Sequence, residues 1–262
     1  MTLDDELSAL AVQEDLPADL VWRLLQHPPA MVRARLAEHP EPSVRAAVAA
    51  SVADEPPGLL ARLAVDQDPS VRAFLAMNEH LPPELLTVLA DDAEPSVRSN
   101  VIQYWRDAPE PVRRALLTDP DPNVRRSAAS AYSPPADLLP VLLADPETRA
   151  IAVRYVDPSP ELARDPESGV RRAVAAHPHL SAELRDVLAA DLDVFVRNTI
   201  AARPDTPSAL RERLVATLAT DDPWAEWVLS FQRNTHACPP HGSAPPRLTR
   251  EQAEDLLARA GL

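Results

Sequence analysis

The chain has 262 residues, and its formal net charge of −14 argues against broad electrostatic capture of nucleic acid or of an anionic membrane. Hydrophobic residues make up 45% of the chain but aromatic residues only 4%, so most of the apolar surface comes from Ala, Leu and Val. A single cysteine, Cys238, excludes an internal disulfide and fits a reducing compartment.

The first residues, Met-Thr-Leu-Asp-Asp-Glu, are acidic and lack the basic and apolar regions of a signal peptide. No apolar run approaches the roughly 20 residues that are needed to span a bilayer. We therefore expect a soluble cytoplasmic protein that does not bind membranes.

A short tract, Asp/Glu-Pro-x-Val-Arg, recurs along the chain. Four close copies end at Arg45, Arg72, Arg98 and Arg125, and three looser copies end at Arg149, Arg171 and Arg197. Successive arginines are 27, 26, 27, 24, 22 and 26 residues apart. Regular self-similarity at this period is typical of a solenoid, in which each unit buries its apolar face against its neighbours.

The stretch 81–105 indicates how one unit is built. One apolar helical face follows Pro83 and a second follows Pro95. Proline is tolerated in a first helical turn, where its missing N–H has no partner within the helix anyway. The acid before the proline can accept hydrogen bonds from the free amides of that turn. Each unit is therefore interpreted as two short helices, the second of which begins at the Asp/Glu-Pro pair.

Applied along the chain, this interpretation predicts where the first helix of each unit begins. The predicted starts lie near Pro29, Pro56, Pro82, Pro109, Pro134, Pro158, Ser181 and Pro207. Helices of about ten residues are marginal alone, so stacking must stabilise them. The sequence thus predicts an all-α fold without β-sheet: an α-solenoid of about eight short helix pairs over residues 16–233. An N-terminal capping segment (1–15), a Pro-rich linker (234–247) and a C-terminal amphipathic helix (248–262) complete the predicted organisation.

The third and fourth residues after each repeated arginine are apolar, which predicts that they form the core. They are Val48 and Ala49, Leu75 and Ala76, Val101 and Ile102, Ala128 and Ala129, Ala152 and Val153, Val174 and Ala175, and Ile200 and Ala201.

One unit, residues 145–165, departs from the pattern. Thr148 replaces the usual valine, and the segment from Pro158 to Arg164 is hardly two helical turns long. The irregularity is either a tolerated deletion or a local change in superhelical curvature.

The repeated arginines admit two interpretations. They could present a line of cations to phosphates, or they could join neighbouring units. An acid precedes each arginine by four residues, which places both on one helix face, and Arg is suited to bridging the carboxylates and carbonyls of the next unit. We favour a structural ladder formed by Arg45, Arg72, Arg98, Arg125, Arg149, Arg171 and Arg197.

Segments such as Asp68–Asp91 and Glu167–Asp191 resemble the leucine-rich repeat variant, a bacterial member of the wider HEAT-like group. The resemblance covers about residues 29–222. It implies a right-handed superhelix of paired short helices, some of them 3₁₀, and a scaffold rather than a particular activity. Some members of this family carry an iron–sulfur cluster on N-terminal cysteines. Cys238 alone cannot supply four ligands, so no cofactor is expected.

Side chains that follow the repeated arginines become large, polar or aromatic in the central units. Residues 98–126 also hold six arginines against four acids. Exposed Tyr, Trp and Arg are enriched in binding hot spots, so we predict a partner-binding band there. The alternative is that Tyr104 and Trp105 fill a gap between repeats. The predicted band consists of Asn100, Gln103, Tyr104, Trp105, Arg126, Ser130, Arg154 and Tyr155.

Histidines and the C-terminal end carry weaker signals. His27, His39, His80 and His177 lie at or beside predicted helix ends, where capping is expected. In the linker, His236, Cys238 and His241 are residues of types that bind metals, but a fourth ligand is not evident and no metal site is predicted.

The C-terminal helix either packs on the last repeat or docks elsewhere. Ser–His–Asp, Walker, GxGxxG and HExxH patterns are absent from the sequence.

These observations favour a non-enzymatic scaffold that binds a protein or peptide through the concave face of its central repeats. One alternative is a nucleic-acid enzyme similar to the HEAT-like alkylpurine DNA glycosylases, whose groove uses Trp, Asp and Arg. Trp105, Arg106 and Asp107 could be arranged that way, although the net charge of −14 opposes it. A second alternative is an accessory subunit that modulates a partner enzyme.

Overall fold

The computed structural model describes residues 10–11, 21, 24–25, 30–51 and 58–221. Throughout these residues the regular structure is helical, with fourteen α-helices, three 3₁₀ segments and no β-strand. The predicted all-α fold is therefore confirmed for this part of the chain. The linker 234–247, the C-terminal helix 248–262 and most of the capping segment 1–15 lie outside the described residues, as do His27, His236, Cys238 and His241.

The chain divides into two compact units, Met1–Asp157 and Pro158–Leu262, which we call the N-terminal and C-terminal units. The described helices of the N-terminal unit are α1 (Ala30–Leu36), α2 (Pro42–Ser51), α3 (Leu59–Leu63), α4 (Pro69–Leu75), α5 (Pro83–Ala90), α6 (Pro95–Tyr104), α7 (Glu110–Leu117), α8 (Pro122–Ala131), α9 (Leu139–Ala144) and α10 (Pro146–Ala152). Two 3₁₀ segments, Ala136–Leu138 and Val153–Tyr155, precede α9 and follow α10.

The described part of the C-terminal unit begins its regular structure with a 3₁₀ segment, Leu162–Arg164. Four helices follow: α11 (Ser168–Ala176), α12 (Ala182–Leu188), α13 (Val194–Ala202) and α14 (Ser208–Asp221). Where the predicted helix starts fall on described residues, the helix or 3₁₀ segment begins within a few positions of the prediction. Proline and serine near the first turn therefore mark these starts correctly.

Stacking within each unit follows the repeat. In the N-terminal unit the second helices α2, α4, α6, α8 and α10 contact one another in that order, and each also contacts the first helix of its own pair. In the C-terminal unit α11 contacts α13, and α13 contacts α12 and α14. All fourteen residues predicted to form the core from their position after the repeated arginines are buried. These contacts fit tandem helix pairs that bury their apolar faces against their neighbours.

Aspartate and glutamate behave differently at the starts of the second helices. The side chains of Asp68, Asp121, Asp145 and Asp193 accept hydrogen bonds from amides of the first turn. The glutamates at the same position, Glu94 and Glu167, make no such bond. Both glutamates thus occupy the predicted N-cap position, but the predicted hydrogen bond from the first-turn amides to the side chain is not formed. We attribute the difference to the extra methylene, which places the carboxylate of glutamate too far from the amides beside it.

In the irregular repeat the first-helix element is shortened, as its sequence predicts. Helix α10 has seven residues and passes into the 3₁₀ segment Val153–Tyr155, and a single 3₁₀ turn, Leu162–Arg164, stands where a first helix was expected. Thr148 is buried, and its hydroxyl donates to the carbonyl oxygen of Leu142 at 2.7 Å. That bond lets a polar side chain occupy the valine position without an unsatisfied hydroxyl. The handedness and curvature of the repeats stay predictions.

Helix length also bears on the membrane question. None of the helices within the described residues is long and apolar enough to cross a membrane.

Candidate functional site

Five of the repeated arginines make the same set of contacts. Each donates from Nε and Nη2 to the two carboxylate oxygens of an aspartate 20 or 21 residues later, in the turn before the next second helix. For Arg98 and Asp119 the two distances are 2.7 and 2.6 Å. The five pairs are Arg45–Asp66, Arg72–Asp92, Arg98–Asp119, Arg125–Asp145 and Arg171–Asp191.

The same guanidinium groups also donate hydrogen bonds to backbone carbonyl oxygens. Nη1 of Arg98 donates to the carbonyl oxygen of Asp92 at 2.6 Å, and Asp119 accepts the amide of Asp121 at 2.8 Å. Each arginine of these pairs thus ties the turn of its own repeat to the turn of the next. Arg149 and Arg197 make the corresponding backbone contacts, to Leu143 and to Asp191.

The ionisation of the paired aspartates reflects these bonds. Burial alone would raise the pKa of Asp66, but the hydrogen bonds from Arg45 and from a backbone amide outweigh it and hold the pKa below its ordinary value. Asp92 and Asp191 follow the same logic, and Arg125 lowers the pKa of Asp145. Because the donors of these arginines are occupied, they do not form a line of free cations for phosphates.

The face formed by the second helices contains a polar groove between α6 and α8, which we call the central groove. Its volume is about 330 Å³. Three residues of the predicted binding band, Asn100, Gln103 and Ser130, line it together. The other lining residues are Ser99, Ile102, Arg106, Ser127 and Ala131. Small side chains on both helices leave this space open, and amide, hydroxyl and guanidinium groups surround it.

Trp105 does not belong to the surface, and its predicted role as a partner contact is wrong. Only 8% of the residue is exposed, and its carbonyl oxygen accepts the hydroxyl of buried Tyr132 at 3.0 Å. The physical reason is that α6 ends at Tyr104. The backbone of Trp105 leaves the helical path, at φ −115° and ψ 78°, so a position counted along the helix no longer gives the direction of its side chain. Tyr104 itself is 48% exposed.

The remaining band residues lie away from the groove lining or have partners within the fold. Arg126 is exposed and pairs with Glu147 at 3.0 Å. Arg154 stacks over the ring of Tyr155, with its guanidinium carbon 5.7 Å from the ring centroid. Within the groove, Asn100 donates from Nδ2 to the carbonyl oxygen of Ala73 at 2.9 Å, which joins α6 to α4. Only part of the predicted band is thus brought together.

Arg106 is the one charged residue of the groove lining, and the predicted band omitted it, since the sequence suggested it only for the nucleic-acid alternative. It directly follows Trp105 in the turn between α6 and α7 and is exposed. The sequence contains a signal that Arg106 differs from the ladder arginines. The repeat spacing assigns Arg98 and Arg125 to the ladder, and Arg106 falls outside that spacing.

Two of the histidines predicted at helix ends, His39 and His177, accept hydrogen bonds from turn amides. Nδ1 of His39 accepts the amide of Glu41 at 3.1 Å, and Nδ1 of His177 accepts the amide of His179 at 3.2 Å. His39 stands six residues before Arg45, the position that the ladder aspartates occupy in later repeats. Among the residues that the structure describes, no three His, Cys, Asp or Glu side chains are grouped so that they could hold a metal ion.

A second, more apolar groove lies between α2 and α4 on the same face. Its volume is about 500 Å³, and the half-exposed ring of Phe74 forms one wall. Ala46, Ala47, Ala50 and three serines form the rest of its lining. The second-helix face therefore changes from apolar at α2 to polar at α6 and α8.

Comparison with known proteins adds no assignment. No protein-family model matches the chain, and a search of curated proteins finds no significant match.

Proposed function

We propose that this chain is a non-enzymatic repeat scaffold of the leucine-rich repeat variant type, within the HEAT-like group, that binds a protein or peptide partner at the central groove. The observation that carries the proposal is the groove itself. A polar space opens between α6 and α8, and Arg98 of α6 is bonded to Asp119 in the turn before α8. Rigid supporting elements with adaptable polar side chains between them favour recognition of an extended segment.

The chemistry of the lining also supports binding. Amides, hydroxyls and one guanidinium can hydrogen-bond a peptide backbone or polar side chain. A cytoplasmic location is part of the same proposal, and modulation of a partner enzyme would be one use of such binding. Burial of Trp105 weighs against the nucleic-acid alternative, because a buried indole cannot stack on an extruded base.

Photo-crosslinking tests the proposal. Benzoylphenylalanine is placed at Gln103, in the groove, and separately at Val141, an exposed residue of first helix α9. Both proteins are expressed in the source organism, irradiated and purified, and circular dichroism verifies their folding. We expect a covalent adduct with one defined protein from position 103 and none from position 141. Adducts from position 141 alone, or from neither position, would overturn the proposal.

A further inference from the structure

Residues 98–126 contain an excess of positive charge that the fold does not neutralise. Of the six arginines, Arg98 and Arg125 pair with ladder aspartates. Arg114 pairs with Asp137 and Glu110, and Arg126 pairs with Glu147. The side chains of Arg106 and Arg113 make no hydrogen bond or ion pair with any other residue that the structure describes.

The environment of these two arginines makes their lack of a partner informative. Nε of Arg113 is buried and has no acceptor, which is costly for a charged donor. Both guanidinium groups act electrostatically on the phenol of Tyr132. Burial raises the pKa of that phenol to about 12, although both arginines oppose the rise. Arg106 and Arg113 therefore both contribute positive potential at buried Tyr132.

Arg106 lies where a ligand bound in the central groove can contact its guanidinium group. It lines the central groove, together with the side chains of Gln103, Ser127 and Ser130. A planar guanidinium with free donors matches a carboxylate in a bidentate arrangement, and such charge-assisted bonds are among the strongest in proteins. The neighbouring hydroxyl and amide groups can serve the peptide groups on either side of that carboxylate.

We propose that the central groove binds an acidic peptide segment, one of whose carboxylates pairs with Arg106. This inference rests on the proposed function and names the chemistry of its partner. A carboxylate is favoured over a nucleic-acid phosphate backbone because a polyanion needs many cationic contacts. Here only two arginines of residues 98–126 lack a partner, and the chain as a whole carries −14. A short acidic peptide gains the local attraction of Arg106 and meets less long-range repulsion than a nucleic-acid polyanion does.

Fluorescence anisotropy with a labelled ten-residue peptide of alternating Glu and Ala tests the inference at low ionic strength. A peptide with Gln in place of Glu is the matched control. We expect the Glu peptide to bind the full chain and the Gln peptide to bind at least about tenfold more weakly, since a charge-assisted bond is lost. Arg106→Ala should weaken binding of the Glu peptide by a similar factor.

Arg172→Ala serves as the control variant, because Arg172 is an exposed arginine of α11 in the other unit. It should leave binding unchanged. Equal binding of the two peptides, no binding of the Glu peptide at low millimolar concentration, or wild-type affinity of Arg106→Ala would each overturn the inference. So would a single-stranded oligonucleotide that displaces the Glu peptide at lower concentration than unlabelled peptide. If the crosslink from position 103 persists while any of these results is found, the acidic partner is wrong and the binding face stands.

Discussion

The pair formed by Arg98 and Asp119 shows why one arginine in each repeat matters to the fold. The two side chains are only 8% and 6% exposed. Arg98 donates to both oxygens of Asp119 and to backbone carbonyls of its own turn, and Asp119 also accepts the amide of Asp121. These hydrogen bonds compensate both charges, so the fold can bury the pair. Either residue left alone would be a buried, uncompensated charge.

Replacing Asp119 should therefore be costly. We expect Asp119→Ala to lower the free energy of unfolding by about 3 kcal/mol, the range seen when one partner of a buried pair is removed. Urea unfolding followed by circular dichroism measures the change. Asp137→Ala is the control, because it breaks the exposed pair of Arg114 with Asp137 and should have little effect. Similar losses in the two variants would contradict the buried role of the Arg98–Asp119 pair.

The sequence predicted that the repeated arginines bridge to carboxylates of the next unit, but it did not identify which carboxylates they reach. The acid four residues before each arginine suggested a pair on one helix, whereas the guanidinium reaches an aspartate 20 or 21 residues later. Asp66, Asp92 and Asp119 each stand six residues before the next repeated arginine, so the regularity was present in the sequence. Trp105 could not be placed in the same way, because its direction depends on where α6 ends.

At the scale of single elements, helix starts were more predictable than the details of their caps. Proline after an acid marks the start of α4, α6, α8 and α10, because proline has no amide to leave unpaired there. The ends of the helices have no equally clear signal in the sequence. The shortened spacing around Arg149 indicates that the elements there are short, but it does not locate the 3₁₀ segments. Local rules predict starts, whereas ends and lengths depend on packing against neighbours.

The two kinds of acid before the second helices allow a matched test of capping. Asp121 accepts the amides of Asn123 and Val124 at 2.8 and 3.2 Å, whereas the side chain of Glu94 caps nothing. We expect Asp121→Ala to lower the free energy of unfolding by about 1 kcal/mol and Glu94→Ala to change it much less. Glu94→Asp should be stabilising, since the shorter side chain reaches the amides. Thermal unfolding of the three variants would show the order, and an equal cost for both alanine substitutions would contradict it.

At the scale of the whole molecule, the net negative charge and the arginine–aspartate pairs have opposite effects on stability. Forty acids against 26 arginines give a repulsive net charge at pH 7. However, several of the acids are ionised in positions where the fold needs their charge, because they hold the arginines that join successive repeats. Stability in a repeat protein is close to a sum of terms for each repeat and for each contact between neighbours. Loss of these carboxylate charges should therefore weaken many contacts together.

The sign of the pH dependence follows from the lowered pKa values of Asp66, Asp92, Asp145 and Asp191. In the unfolded chain an aspartate titrates near 3.8, and in the folded protein each of these groups holds its charge to lower pH. The unfolded state therefore takes up protons first as the pH falls. The stabilisation is complete above about pH 5 and is lost progressively as the pH falls through the folded pKa values.

We therefore expect the urea midpoint to fall steeply between pH 5 and pH 3 and to recover when the pH is raised again. Asp92→Asn removes one of the responsible carboxylates, so this variant should be less stable at pH 7 but should lose less stability on acidification. The difference corresponds to at most about one proton fewer taken up on unfolding. Added salt should change the acid loss little, because the paired groups are largely buried and poorly screened. An unchanged acid slope in Asp92→Asn would contradict the assignment of this pH dependence to the arginine–aspartate pairs.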